Sequence, residues 1–139
     1  MAINNQFSIA VHLMVGLGYR KGEALPSSHL AESVNAHPSF VRRTIAKLSK
    51  ARLVRTTMGK SGACALAKEP AKISLLDIYR AVEAPKAFAI HDYPECKECP
   101  VSRNIKSSME KVLTKTQKAM EESLKKVTLA ELITELKAG

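Results

Sequence analysis

Residues 26–67, PSSHLAESVNAHPSFVRRTIAKLSKARLVRTTMGKSGACALA, hold the pattern that decides the fold. Pro26 followed by Ser27 and Ser28 is a helix-start signal, and Leu30, Ala31 and Val34 supply a short apolar stripe. Asn35 to Pro38 end that element and begin the next. His37 stands as N-cap and Pro38 at the first helical position, where its missing N–H costs nothing. The following helix turns Val41, Ile45 and Leu48 inward, at spacings of four and three. After it the chain alternates and contains Gly59 and Gly62, which reads as two short strands joined by a glycine-bearing turn. Two short helices, a tight turn and a hairpin make a winged helix-turn-helix.

Charge points the same way. The net charge is +9, which favours an anionic partner. Between Glu32 and Glu69 there is no Asp or Glu, while Arg42, Arg43, Lys47, Lys50, Arg52, Arg55, Lys60 and Lys68 all fall there. A merely solvated face mixes its signs. With the apolar residues of the second helix turned inward, Ser39, Arg42, Arg43, Ala46, Lys47 and Lys50 share the outer face. Early positions of such a helix approach base edges in the major groove and later basic ones meet phosphate. Ser39, Arg42 and Arg43 are therefore assigned to the groove of double-stranded DNA and Lys47 to phosphate. Arg55 and Lys60, in the wing, are assigned to the flanking backbone or minor groove. Arginine suits base reading because its planar fork can donate two bonds to guanine.

Working outward, residues 4–20 carry a helical face of Phe7, Ile9, Ala10, Leu13, Met14 and Leu17. Beyond the hairpin, ISLLDIYRAVEAP reads as a short helix capped by Ser74, with Leu75, Ile78 and Val82 on one side. From Pro100 to about Lys126 runs the longest periodic segment, with Ile105, Met109, Val112, Thr116, Ala119 and Ser123 as a narrow stripe suited to helix–helix self-association. Thr128 and Glu131 form a capping-box pattern for a last helix. The expected class is mainly α: a winged helix-turn-helix over 1–83, a cysteine-bearing loop over 84–99, and a dimerisation helix with a C-terminal helix over 100–139. The 139 residues, 45% hydrophobic and 25% charged, suit one folded domain with an appended element. FSIAVHLMVGLGY is too short for a membrane span, is interrupted by His12 and lacks a basic leader, so the expected location is cytoplasmic with no membrane partner.

The stretch VRRTIAKLSKARLVRTTMGKSGACALAKEPAKISLLDIYRAVEAP (41–85), with the cysteine loop, long helix and TLAEL tail around it, resembles the Rrf-two (BadM-type) winged-helix transcription regulators. The resemblance covers nearly the whole chain. It implies a homodimer paired through the long helix, a palindromic operator and, usually, repression. The family includes iron–sulfur sensors and thiol-based oxidant sensors, and ECPVSRNI most resembles the members without an established cluster, the thiol type among them. The wing departs from the family's Gly-x-x-Gly-Gly-Tyr: here it runs from Gly59 to Gly62, then Ala63 and Cys64.

Cys96 and Cys99 leave three readings open. Cys99 precedes Pro100 and so takes the N-cap position, where helix N–H groups and the dipole stabilise a thiolate. Lys97 and Arg103 act in the same direction, Glu95 and Glu98 against it. Oxidation at Cys99 would give a sulfenic acid and then a disulfide with Cys96, with Cys64 or with the other subunit, and a Cys96–Cys99 bridge would distort the helix start. The cluster-binding relatives implied by the resemblance present three cysteines in this loop; here an iron–sulfur cluster would need Cys96, Cys99, His91 and a cross-subunit His12. Zinc would need two such loops to meet. The third reading is that neither cysteine senses anything, and no bound cofactor is the expectation. Cys64 reads as a wing-packing residue, His12 as a satisfied core histidine, and His29 and His37 as helix-start residues. A small molecule or partner bound beside AFAI and HDYP is a further alternative signal. No enzyme is expected, because a CxxC oxidoreductase needs a βαβ context and no phosphate-cradling glycine loop or nucleophile triad is present.

Overall fold

The computed structural model describes residues 5–20, 23–57 and 63–139. It divides into two compact units, residues 1–84 with 124–139, and residues 85–123. In the first unit, α1 (Gln6–Tyr19) is followed by β1 (Leu25–Pro26), α2 (Ser27–Val34), α3 (Pro38–Lys50), β2 (Val54–Thr56), β3 (Ala63–Leu66) and α4 (Leu75–Ala81). The long α5 (Pro100–Lys125) and α6 (Leu129–Ala138) complete the chain.

Local chemistry explains most boundaries. His37 Nδ1 accepts from the Ser39 N–H at 3.1 Å, capping α3 with Pro38 just inside. At α4, the Ser74 hydroxyl accepts from the Asp77 N–H while the Asp77 carboxylate accepts from the Ser74 N–H, a reciprocal box. Thr128 caps α6 through the Glu131 N–H. The C-terminal ends are less ordinary. Asn35, Arg52 and Glu83 close α2, α3 and α4 with positive φ, although none is glycine. In each case the next residue's N–H reaches back to the last helical turn: Ala36 to Ala31, Leu53 to Leu48 and Ala84 to Tyr79.

The wing is a three-stranded antiparallel sheet in the order β1-β3-β2, not the two strands expected. The added edge pairs Leu25 with Cys64 and Pro26 with Ala63. Its two residues carry no alternation for sequence reasoning to detect, and Pro26 is tolerated because it lies on an edge strand.

The core is aliphatic. Ala10, Leu13, Met14 and Leu17 of α1 pack with Val41, Ile45 and Leu48 of α3 and with Ile78 and Val82 after it. Thr44 is buried among them, and its hydroxyl donates to the Phe40 carbonyl at 3.0 Å, which removes the cost of burying it. Two backbone bonds, Leu75 N–H to Val127 and Leu129 N–H to Ile73, join the starts of α4 and α6. They seat Leu129 and Ile133 in the same core. The C-terminal helix, grouped with the long helix by sequence order, thus packs in the first unit against α1. His12 is corrected: it is exposed rather than a core residue, with Nε2 3.2 Å from the Ser33 hydroxyl.

Candidate nucleic-acid interface and the cysteine turn

α3 presents one apolar and one cationic side. Val41, Thr44, Ile45 and Leu48 are buried, whereas Arg42, Arg43, Ala46 and Lys50 are exposed. Arg43 lies over the half-buried Phe40 ring, 5.9 Å from its centroid, which restrains the guanidinium one turn into the helix. Ser39 is half-buried, and its hydroxyl lies 2.8 Å from His37 Nδ1. Since Nδ1 already accepts the Ser39 N–H, the hydroxyl donates to it, and its oxygen keeps its acceptor capacity. Lys47 is half-buried too, and its ammonium donates to the Val82 carbonyl at 3.4 Å. Arg55 is exposed on β2. Lys60 lies outside the described residues.

An exposed, cation-bearing second helix beside a small wing is the geometry by which proteins enter the major groove. A family model described as an iron-dependent transcriptional regulator, Rrf2, matches residues 3–135. The chain belongs to the Rrf2 family of transcriptional regulators. It is 36% identical over 135 residues to YwnA of Bacillus subtilis (strain 168), named as an HTH-type transcriptional regulator, covering 96% of this chain and 98% of YwnA. Among solved structures it is similar to one described as a DNA-binding protein, at 32% identity and TM-score 0.73, over 92% of this chain and 98% of that one. It is also similar to T. potens IscR, at 26% identity and TM-score 0.67, over 98% of this chain and 88% of that one. As a member of this family the chain is a DNA-binding transcriptional regulator. Among its described residues, no helix is long and apolar enough to cross a membrane.

In the second unit, Cys96 to Cys99 form a β-turn closed by the Cys99 N–H on the Cys96 carbonyl at 3.1 Å. Cys99 then begins α5. The Ser102 N–H points at Cys99 Sγ, 3.5 Å away, and the Ser102 hydroxyl accepts from the Cys96 N–H at 2.9 Å. The Ser102 carbonyl accepts from the Tyr93 hydroxyl at 2.8 Å, and Tyr93 stacks on His91. One serine thus ties both cysteines to the first turn of α5. Sequence reasoning found Cys99 at the N-cap but not Ser102, whose hydroxyl looked like one polar helix residue among many.

The donor set of a single chain does not fit a metal cluster. Cys96 and Cys99 supply two sulfurs, half of what a four-ligand site takes. Cys64 is buried in β3, where its thiol donates to the Leu25 carbonyl. Burial pushes the Cys64 thiol up to about 11. Among the described residues no three His, Cys, Asp or Glu side chains gather in a way that could hold a metal ion. The segment AFAI does line a groove: Phe88, Ala89 and Ile90 face Leu113, Thr114 and Gln117 of α5 around a cavity of about 490 Å³.

Proposed function

We propose that this regulator is a homodimeric repressor of a palindromic operator whose DNA binding is governed by oxidation of Cys99 and Cys96. Arg42 and Arg43 read base edges, with Ser39 beside them at the helix start. Arg55 and Lys60 hold flanking phosphates, and Lys47 stands at the rear of the same face. The observation that supports the DNA contacts is the outward pair of arginines on a helix whose other side is fully buried.

Dimerisation is supported by α5. Val101, Ile105, Met109 and Val112 recur at helical spacing and are 67%, 40%, 38% and 55% exposed, an apolar stripe that a lone chain leaves in water. The thiol reading is supported by the Ser102 N–H aimed at Cys99 Sγ, a donor that stabilises negative charge on sulfur. A hydroperoxide would accept the sulfur electron pair, giving the Cys99 sulfenic acid and releasing an alcohol or water. The Cys96 thiolate then displaces hydroxide, which leaves as water after taking up a proton, and a disulfide forms. The turn keeps the two residues within disulfide reach. The new bond draws Sγ away from the Ser102 N–H and remakes the first turn of the dimer helix.

The test begins with duplexes selected from a random library. Arg42→Ala is expected to cost about 1–3 kcal/mol of affinity for the selected sequence and to relax preference at one position. Unchanged affinity would remove Arg42 from the contacts. Hydrogen peroxide should release the duplex and dithiothreitol restore it, with Cys99→Ser insensitive to both. A visible spectrum of protein purified without oxygen decides the metal reading: sulfur-to-iron bands would make Cys96 and Cys99 cluster ligands instead.

A further inference from the structure

Arg52 stands where the chain leaves the recognition helix, and its backbone holds φ at +64°. Its N–H donates to the Ser49 carbonyl at 2.9 Å, and the Leu53 N–H donates to the Leu48 carbonyl at 3.0 Å. This helix ending is the position that glycine fills without penalty, because a Cβ crowds the backbone there. An arginine is a costly occupant. Its side chain is exposed, and among the described residues its guanidinium has no bonding partner that would repay the strain.

Two other residues share the conformation. Asn35 is of the type that tolerates it best. Glu83 is not, but it carries the charge that DNA repels. Arg52 differs from both: it lies between Lys50, the last residue of α3, and Arg55 on β2, inside the stretch from Glu32 to Glu69 that holds no acid. Strained backbone kept at a functional surface is repaid by what the side chain does.

We infer that Arg52 is a further DNA contact, a phosphate clamp at the corner between recognition helix and wing. It rests on the reading of α3 as the helix that enters the groove. A guanidinium here meets backbone oxygens and carries no sequence information, so it holds every duplex alike.

Arg52→Gly separates the strain from the charge, since glycine relieves the first and removes the second. Thermal stability should hold or rise, while affinity for a mixed-sequence duplex falls. The plot of log affinity against log salt should become shallower by about 0.9 per protomer, the slope of one lost phosphate contact. Arg52→Asn, which also accepts positive φ, should lose the same slope, and Arg52→Lys should keep most of it. Glu83→Gly gives the same backbone relief without losing a cation and should leave the slope unchanged. Duplex affinity and slope equal to the parent's in both Arg52→Gly and Arg52→Asn would overturn the clamp. A parent protein that bound no duplex at all would overturn the reading of α3 itself.

Discussion

The Lys47 ammonium donates to the Val82 carbonyl at 3.4 Å, so the recognition helix is pinned to the C-terminal end of α4. A cation there also meets the negative end of a helix dipole. Lys47→Met, which keeps the stem and removes the charge, is expected to cost about 0.3–1 kcal/mol of folding stability in a urea titration. A loss of about 0.9 in salt slope with stability intact would instead make Lys47 the phosphate contact expected from the sequence.

Gly18 ends the buried face of α1, where a Cβ would overlap Ile133 Cδ1 and approach Leu66 Cδ1 to 3.4 Å. Helix propensity alone makes Gly18→Ala a gain of about 1 kcal/mol, and overpacking a filled core costs about 1–3 kcal/mol. The expected net result is a loss. Adding Ile133→Val should recover part of it, and additive effects in the double variant would mean that the two sites do not meet.

Cys64 should be silent to alkylating reagents in the folded protein at pH 8, since burial holds its thiol near 11, well above the ordinary 9.0. Mass spectrometry after brief iodoacetamide treatment should find label on Cys96 and Cys99 alone. The folded chain binds this proton more tightly than the unfolded one. The stabilisation is therefore whole below about pH 9 and is lost as pH rises toward 11. Labelling of Cys64 at the rate of the other two would show that the wing opens readily.

Val112 lies midway along α5 and is the last residue of its exposed stripe. Val112→Lys should leave the fold of the chain intact, because the side chain is 55% exposed and belongs to no buried core, and should shift the protein toward monomer in sedimentation. Operator affinity should drop with it. An unchanged dimer would place the self-contact elsewhere.

The winged pattern was legible in residues 26–67 because it rests on local rules. Caps, proline at the first helical position and apolar spacing act within one or two turns, so His37, Ser74 and Thr128 mark helix starts in sequence and in structure alike. The outward row of Arg42 and Arg43 followed from helical geometry alone. What escaped depended on residues far apart in the chain. Positive φ at Arg52 and Glu83 has no glycine to announce it. β1 exists only because β3, some forty residues later, offers it a partner. α6 owes its place to the bridge between Ser74 and Thr128, and Lys47 owes its bond to where α4 ends. Sequence by itself determined which residues are helical, which are apolar and where the cations cluster. Only the tertiary structure decided which cations stay free, since that depends on which carbonyls the packed backbone brings within reach.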